Sequence, residues 1–378
     1  MAEHIPRSER LVALDAFRGL TIAGMLLVNN PGTWSAVYPP LRHAEWHGWT
    51  PTDLIFPFFL FIVGITTHLS LASRERRGDP RSAVSRQILK RGVLIVLLGL
   101  GLAAFPFVPL ERLTQVRIPG VLQRIGICYL AAAFLARGRS TRWVAWLAAV
   151  LLLGYWALLG LVPTPGTGIA TWDVPDATLP AWLDRTLLGG HLWTATRTWD
   201  PEGLLSTVPA VGTCLLGVLA GRWLARPTPL AERLNGLFAA GALGVAVGAA
   251  WGWLFPINKN LWTSSYVVFT GGMACTTLSV CLWAIDVRGW RGWARPFVTY
   301  GLNPMIAYVG SGLMARVLGM IHVPTADGGA SLQSLAYEVA FASWLTPNNA
   351  SLAYALAFVA VWYAMLVVLE RRNVIFRL

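Results

Sequence analysis

The sequence has few charged residues. Asp, Glu, Lys and Arg together make up 13% of its 378 residues, against about 25% in an ordinary soluble domain. Hydrophobic residues account for 55%, and the mean hydropathy is +0.56. This composition excludes a soluble globular protein, a disordered chain and a coiled coil. A net charge of +12 would elsewhere suggest nucleic-acid binding, but here the charge is better explained by membrane topology, so no nucleic-acid partner is predicted.

The sequence is also poor in metal-binding and nucleotide-binding motifs. It contains no P-loop, no G-x-G-x-x-G of nucleotide type and no H-E-x-x-H. A phosphate-bearing ligand would therefore have to bind in a channel within a helix bundle. Neither a disulfide framework nor a metal site is predicted, because the four cysteines fall in apolar segments without C-x-x-C spacing: Cys128, Cys214, Cys275 and Cys281.

Long apolar runs dominate the sequence. A helix needs about 20 mostly apolar residues to cross a bilayer core of about 30 Å. A further segment, 331–345, is short and carries Glu338, so it could be an interfacial, re-entrant or eleventh crossing helix. The predicted fold is an all-α polytopic membrane protein, a single domain over 1–378 with about 10–11 transmembrane helices. Ten segments meet the length criterion: 11–30, 53–72, 92–108, 119–136, 143–162, 203–224, 237–255, 262–285, 296–314 and 352–369.

The distribution of basic residues predicts the orientation of these helices. If the N-terminus is cytoplasmic, 22 of the 30 Lys and Arg residues fall on the cytoplasmic side, as the positive-inside rule requires. Both termini are then cytoplasmic, with 1–10 a cytoplasmic segment and the first span a retained anchor. Two long loops, 31–52 and 163–202, are predicted to lie outside.

Chemically useful side chains concentrate around the first outside loop. His43 and His47 are four residues apart, but two histidines without a third convergent ligand are weak support for a metal site. Asp53 opens an apolar span, where an acid needs a capping role, water or a partner. Asp53 could cap that helix and also orient a histidine. Such a pair can serve as a general base near neutral pH.

Arg18 and Arg124 lie well inside predicted spans. Arg18 is three residues from Asp15 on one helical face, so it could pair with that acid or face a ligand. Arg117 and Arg124 are seven residues apart, and Arg117 could snorkel to lipid phosphates. Arg124 lies deeper and against the positive-inside trend. It is predicted to face a cavity.

Further polar residues precede the sixth and eighth predicted spans. Asp200 and Glu202 precede the sixth span and could cap its helix or face the outer loops. Asn258 and Lys259 precede the eighth span, and Ser264 lies in its first turn. Each alone is explained by capping or packing. Together they line one side of the membrane too consistently to face lipid.

Five ordered blocks of sequence resemble the heparan-α-glucosaminide N-acetyltransferase catalytic family. The resemblance runs from about residue 11 to the C-terminus. No segment is similar to the additional lumenal domain of the lysosomal members, so the resemblance suggests a member in a bacterial inner (plasma) membrane. The blocks are LDAFRGLTIAGMLLVNN, RHAEWHGWTPTDLIFPFFLFIVG, RIPGVLQRIGICYL, WDPEGLLST and PINKNLWTSSY.

The resemblance implies acetyl transfer from cytosolic acetyl-CoA to an amine, for instance of an amino sugar or glycan, on the outer side. It implies that His43 is the catalytic histidine, acting as general base or as acetyl carrier, and that Asp53 and Asn29 belong to the catalytic set. His47 stands where the lysosomal sequences have asparagine, so it is a second candidate base. Arg18 is the leading candidate for binding CoA, and Arg124 for the pantetheine arm or the acceptor.

The remaining candidates divide between donor and acceptor. Asn258, Lys259 and Ser264 are assigned to the donor, with no metal required. His47, Glu45, Trp46, Asp200 and Glu202 are assigned to the acceptor, although an interfacial aromatic belt would also explain Trp46. Two rival functions fit the composition: a secondary transporter or flippase of a sugar-type substrate, and a structural scaffold. The lipid bilayer is an expected partner, and whether the protein forms a homodimer stays open.

Overall fold

The computed structural model describes residues 11–324 and 329–376, so the predicted cytoplasmic segment 1–10 lies outside the described residues. Helices dominate this described part, and one short antiparallel hairpin, β1 (His322–Val323) with β2 (Ala330–Ser331), completes the regular structure. The α-helices are α1 (Val12–Asn29), α2 (Ile55–Arg77), α3 (Arg81–Ala104), α4 (Val121–Ala136), α5 (Thr141–Leu161), α6 (Leu179–Leu188), α7 (Thr207–Leu224), α8 (Leu230–Trp251), α9 (Ser264–Cys281), α10 (Arg295–Leu302), α11 (Pro304–Met320), α12 (Leu332–Tyr337) and α13 (Pro347–Arg371).

The all-α polytopic membrane fold is confirmed. Within the described ranges, eight helices are long and apolar enough to cross a membrane, and α4 and α11 are shorter apolar helices. These ten correspond in order to the ten predicted spans. The third begins at Arg81 rather than at residue 92, because its basic first turns continue the same helix beyond the apolar run.

The ninth predicted span, 296–314, is interrupted where its Asn303–Pro304 pair indicates, between α10 and α11. The chain breaks at Asn303, whose backbone leaves the helical region before Pro304 starts α11. A proline disfavours helical geometry in the preceding residue and cannot supply the missing hydrogen bond. The Asn303 side chain stabilises the break, donating to the Val374 carbonyl oxygen and accepting from the Phe376 amide.

The ambiguous segment 331–345 is a short helix. Leu332–Tyr337 continues into a π-helical turn over Glu338–Ala342. At 1.5 Å per residue, such a helix rises only about 16 Å, roughly half of a bilayer core. The segment packs against α11 and α13 and is too short to be an eleventh crossing.

Helices α2, α4, α7 and α9 begin at the same end of the bundle. Glycines let α2 and α7 pack in close contact, since a Cβ on Gly64 would lie 2.0 Å from the Cys214 carbonyl oxygen. At the start of α9, Tyr266 donates to the backbone carbonyl of Asp53, just before α2. We call this end the outer end and the opposite one the inner end, after the predicted topology. Residues just before these four helices are thereby brought together.

Candidate active site

Asp53 is the most firmly held polar side chain at the outer end. It lies in a short 3-10 turn, Pro51–Leu54, that leads into α2, and it forms a capping box with Thr50. Its Oδ2 accepts hydrogen bonds from the amides of Ala44 and Thr50, both at 3.0 Å, and from the Thr50 hydroxyl. Only 1% of the residue is exposed. The carboxylate is thus fixed by the loop that it helps to fold.

The other oxygen of Asp53 is directed at His43. The Nδ1 of His43 lies 2.6 Å from Asp53 Oδ1. A buried carboxylate at this distance selects the tautomer with the proton on Nδ1, which leaves a lone pair on Nε2. The His43 side chain is 48% exposed, so this nitrogen can be approached from outside. Asp53 therefore both caps the helix and orients the histidine, as the sequence allowed.

Lys259 completes this group from the loop before α9. Its Nζ lies 3.2 Å from Nε2 of His43 and 3.6 Å from Oδ1 of Asp53. Burial lowers the pKa of Lys259 below its ordinary value, although the charges of Asp53 and Glu202 act in the opposite direction. The ammonium group is held against the carboxylate beside the imidazole, where it can donate a hydrogen bond or a proton.

His47 forms a second histidine–carboxylate pair with Asp173 of the 163–202 loop, at 3.0 Å between Nε2 and Oδ1. The other ring nitrogen lies 3.2 Å from Asn258 Nδ2, whose orientation is set because Oδ1 accepts from the Leu261 amide. Gly48 has a positive φ of 97° and donates to the Ile257 carbonyl oxygen, which ties the two loops together. Both nitrogens of His47 are thus engaged, and Asp173 is exposed.

Tryptophans from the two long loops form a wall beside this second pair. Trp46 donates its indole N–H to the Trp172 carbonyl oxygen and packs edge-on against Trp199, with 5.2 Å between ring centroids. Trp199 in turn packs against Trp193. Aromatic rings with one polar edge are common where a surface is partly apolar and partly wet. Trp46 also lies beside His47, with 6.1 Å between ring centroids, so the wall borders the second pair.

A second buried ion group lies before α4 and α7. Arg117 binds Asp200 through two hydrogen bonds, from Nε at 2.8 Å and from Nη2, and also binds Glu202. Burial acts to lower the pKa of Arg117, but its hydrogen bonds to the two carboxylates outweigh burial and raise the pKa. The arginine does not snorkel away to lipid. The predicted acceptor residues Asp200 and Glu202 are engaged with Arg117 rather than with His43.

Arg124 is buried one turn into α4, with 1% of the residue exposed. Its Nη2 donates to the Gly203 carbonyl oxygen and to Ser206, and its guanidinium lies 5.1 Å from the centroid of the Trp262 ring. Among the described residues, Nε and Nη1 of Arg124 have no hydrogen-bond partner. The residue links α4, α7 and the start of α9 below the outer site.

The inner end carries a cavity of about 540 Å³ between α1, α2, α3, α4 and the start of α11. Arg18, Arg74 and Arg91 line it with a single carboxylate, Asp15. Arg18 donates to Asp15 and to the Gly301 carbonyl oxygen, whereas Arg91 Nε has no partner among the described residues. The volume lies in the range of small-molecule sites. Arg74 is paired with Asp79 at 3.3 Å, whereas no carboxylate lies within 4.0 Å of Arg91 in the described part of the chain, so Arg91 suits an anionic ligand.

The cavity extends towards the outer site along α2 and α4. Its deepest lining residues include Phe59 and Ile125. Phe59 lies six residues beyond Asp53, a rise of about 9 Å along a helix, and Ile125 is adjacent to Arg124. Phe56 and Trp262, packed edge-to-face at 5.0 Å between centroids, lie at the intervening level. The two sites are therefore close but separated by packed aromatic side chains.

Three of the predicted site residues lie apart from this group. Asn29 is exposed at the end of α1 and makes no side-chain hydrogen bond within the described residues. Glu45 is exposed on the first loop, also without such a bond. Ser264 is fully buried and donates to the Leu152 carbonyl oxygen at 2.6 Å, which explains it as a packing contact between α9 and α5.

Sequence reasoning missed several members of the site. Thr50 carried a local signal, because Thr-x-x-Asp before an apolar run is a capping-box pattern. Asp173 lies 126 residues from its partner His47, and no local pattern marks it. Arg91 and Tyr129 line the inner cavity. In the sequence, Arg91 contributed only to the count of cytoplasmic basic residues, and Tyr129 was only one residue of an apolar span.

Comparison with known proteins identifies the family. A family model described as "Heparan-alpha-glucosaminide N-acetyltransferase, catalytic" matches residues 10–244, which is more than half of the chain. The chain belongs to this family. The human heparan-alpha-glucosaminide N-acetyltransferase is 33% identical over 356 aligned positions, covering 80% of this chain and 52% of the human protein. The mouse protein is 32% identical over the same length, covering 80% of this chain and 53% of its own.

The chain spans about half the length of the curated relatives that it matches. The match to the heparan-alpha-glucosaminide N-acetyltransferase family model runs from the start of α1 into α8. It includes His43, Asp53, Arg117 and Arg124. Asn258 and Lys259 lie beyond it, so their place in the site rests on the geometry of this structure.

Proposed function

We propose that this protein is a transmembrane acetyltransferase, which moves an acetyl group from cytosolic acetyl-CoA to an amine acceptor on the outer side. The observation that carries the proposal is the pair formed by His43 and the buried, fourfold hydrogen-bonded Asp53. Family membership supports the reaction class. The name of the human and mouse relatives, heparan-alpha-glucosaminide N-acetyltransferase, supports an amino-sugar acceptor, and a bacterial inner membrane is the proposed location.

The hydrogen bonds favour His43 over His47 as the reacting residue. His47 accepts from Asn258 on one nitrogen and donates to Asp173 from the other, so it has no lone pair left for a substrate. His43 donates to Asp53. Lys259 Nζ lies almost equally far from both ring nitrogens of His43, 3.0 Å from Nδ1 and 3.2 Å from Nε2, so it is over the face of the ring and leaves the in-plane lone pair of Nε2 unoccupied. A fixed imidazole with a free lone pair is what general-base or nucleophilic catalysis requires.

Two routes use the same residues. In direct transfer, Nε2 of His43 takes a proton from the acceptor amine as the amine nitrogen attacks the thioester carbonyl, and the carbon–sulfur bond then breaks to release the CoA thiolate. In the covalent route, Nε2 attacks the carbonyl first, the carbon–sulfur bond breaks, and the acetyl group passes from His43 to the amine. In both, Lys259 is placed to donate to the developing oxyanion or to the departing thiolate.

We assign the inner cavity to the donor. CoA carries phosphate groups, and the lining holds three guanidiniums against one carboxylate, with an unpartnered Nε on Arg91. Arg18 keeps its assignment because it lines this cavity. Arg124 lies between the cavity and the outer site, where its unpartnered Nε and Nη1 can meet the pantetheine arm or the thioester. Passage of the acetyl group requires Phe56 and Trp262 to move.

We assign the exposed side of the first loop to the acceptor. Glu45 and Asp173 bring negative charge that attracts an ammonium group, and the Trp46–Trp199 wall offers apolar faces for a sugar ring. Asp200 and Glu202 contribute indirectly, because with Arg117 they hold the loop before α7 in place. Asn29 remains a proposed member of the catalytic set, and its position at the end of α1 is the structural feature that supports this role.

The function is tested by measuring transfer of labelled acetyl from acetyl-CoA to glucosamine and related amines, with purified protein in detergent. We expect His43→Ala to lower the rate by at least about 10³-fold, since it removes the base or nucleophile. His191→Ala is the matched control: the side chain of this outer-loop histidine bonds the Val116 carbonyl oxygen, and its loss should change the rate less than threefold. Full activity of His43→Ala would contradict the assignment.

Binding and trapping separate the remaining possibilities. Acetyl-CoA should raise the melting temperature of the wild-type protein, and absence of stabilisation by any CoA thioester would favour the transporter reading instead. An acetyl group that stays on wild-type protein, is released by hydroxylamine and is absent from His43→Ala would establish the covalent route. Absence of such a species during turnover would favour direct transfer.

A further inference from the structure

A second cavity of about 490 Å³ opens at the inner end, on the other side of α2 from the donor cavity. The donor cavity is lined by Ile62, Thr66 and Ser70 of α2, whereas the second cavity is lined by Thr67, His68 and Leu71 and by the α4–α5 turn and the end of α7. The proposed reaction uses none of the residues that line the second cavity. The two cavities therefore differ in lining and in depth, since the second does not reach Phe59 or Ile125.

The second cavity is strongly basic. Arg137, Arg139, Arg222 and Arg226 line it, with Glu75 as the one carboxylate in the lining. None of these four arginines has a carboxylate within 4.0 Å among the described residues. Four like charges around one cavity repel one another, and an anion that binds all of them removes that repulsion.

The arginines are held in place by neutral groups. Arg222 donates to the Ala136 carbonyl oxygen at 2.9 Å and to the Thr141 hydroxyl. Arg137 donates to Ser85 and to the Arg81 carbonyl oxygen. Such contacts position a guanidinium group without compensating its charge. Arg222 and Arg137 are thus preorganised beside the cavity, and their charge is left for a ligand.

The cavity lies at the level expected for lipid headgroups. Arg226 stacks on Trp223 with 4.0 Å from guanidinium carbon to ring centroid, and Arg139 lies over Trp143 at 5.1 Å. Tryptophans are enriched at the headgroup level, and basic pockets between helix ends on the cytoplasmic side suit anionic lipids. His68 lines the same cavity and makes no hydrogen bond within the described residues, so its ring can donate to a phosphate oxygen.

We propose that the second cavity binds a phosphate anion, and that its physiological source is the headgroup of an anionic phospholipid of the inner leaflet. The four guanidinium groups and His68 bind the phosphate oxygens, and the lipid fixes α2, α7 and the α4–α5 turn relative to one another. This proposal is independent of the proposed acetyl transfer.

The test compares melting temperatures of the whole protein in phosphatidylcholine nanodiscs with and without phosphatidylglycerol or cardiolipin. We expect the anionic lipid to raise the wild-type melting temperature and the Arg139→Gln/Arg226→Gln double variant to need roughly tenfold more of it for half of the effect. These two arginines are exposed, so both substitutions should leave folding intact. Arg371→Gln/Arg372→Gln is the control, with the same change in charge at the exposed inner end of α13.

The outcomes separate the alternatives. An equal lipid effect in the cavity variant and the wild-type protein would overturn the proposal, as would an equal loss in the α13 control, which would indicate only general surface attraction. Stabilisation by inorganic phosphate or glycerol 3-phosphate without anionic lipid would keep the anion site and assign it a soluble occupant. Competition by CoA in the cavity would overturn the proposal, because the cavity would then belong to the donor site.

Discussion

The outer site and the inner donor cavity both contain carboxylates and cationic side chains, but the two sites differ in how many of each they have. At the outer end, three buried carboxylates, Asp53, Asp200 and Glu202, lie with three cations, Lys259, Arg117 and Arg124. Around the inner cavity, three guanidinium groups share the lining with one carboxylate.

The difference teaches what each site has to do. Buried charges are stable only when they are paired and hydrogen-bonded, so the balanced outer group is a rigid structure that presents one imidazole. In the inner cavity Arg18 and Arg74 are paired with Asp15 and Asp79, whereas no carboxylate lies within 4.0 Å of Arg91 among the described residues, so Arg91 is available to an anionic ligand. Substitutions at the outer end should therefore change the chemical step, and substitutions in the inner cavity should change donor binding.

The largest effect is expected from Asp53. We expect Asp53→Asn to lower kcat by about 10²- to 10⁴-fold, because an amide no longer selects the His43 tautomer with its lone pair on Nε2. Asp173→Asn is the matched control for kcat, since it makes the same change in the second, exposed pair. It should lower kcat less than threefold, and the loss of its attraction for the acceptor should appear in KM for the acceptor. The measurement is steady-state acetyl transfer, with melting temperature to confirm folding. Equal losses in both variants would remove the distinction between the two pairs.

A smaller effect of a different kind is expected from Arg91. We expect Arg91→Ala to raise KM for acetyl-CoA about tenfold with kcat within twofold, since a charge-assisted hydrogen bond contributes about 1.5 kcal/mol or more. Arg86→Ala removes an exposed arginine from the same helix outside the cavity lining and should leave KM unchanged. A fall in kcat at unchanged KM would assign Arg91 to the chemical step and contradict the division between the two sites.

The last effect is on stability rather than on activity and concerns Asp184, a buried carboxylate beside the balanced outer group. Its Oδ1 accepts from the Leu204 amide, while Oδ2 has no partner among the described residues. Burial raises the pKa of Asp184 to about 6, so between about pH 4 and 6 the folded protein holds a proton that the unfolded chain has lost. Stability should therefore increase as pH falls from 7 towards 4, by at most about 3 kcal/mol.

Asp184→Asn keeps the acceptor for the Leu204 amide and removes the titration. We expect the variant to have the higher melting temperature at pH 7.5 and a flatter profile between pH 5 and 7 in detergent. Asp173→Asn, an exposed control, should keep the wild-type profile. An unchanged pH dependence in Asp184→Asn would show that this carboxyl does not carry the effect.

Much of the fold could be predicted from the sequence. A helix that crosses a membrane needs a long apolar run, and the basic residues in the short inner connections predict the orientation of the helices. The break at Asn303 was visible only as an Asn-Pro pair, and its stabilisation by the chain around Val374 could not be inferred. His43 and Asp53 were found because they are close in sequence. The partners Asp173 and Lys259 come from distant loops, and only the common direction of four helices brings them to the first loop.

The central claim is that the outer His43 completes a transfer that begins with a donor at the inner end. The most direct test reconstitutes the protein in sealed vesicles with labelled acetyl-CoA on one side of the bilayer and an amino-sugar acceptor on the other. The account predicts labelled product in the acceptor compartment, dependent on His43. Product formed only when both substrates share one compartment would contradict it.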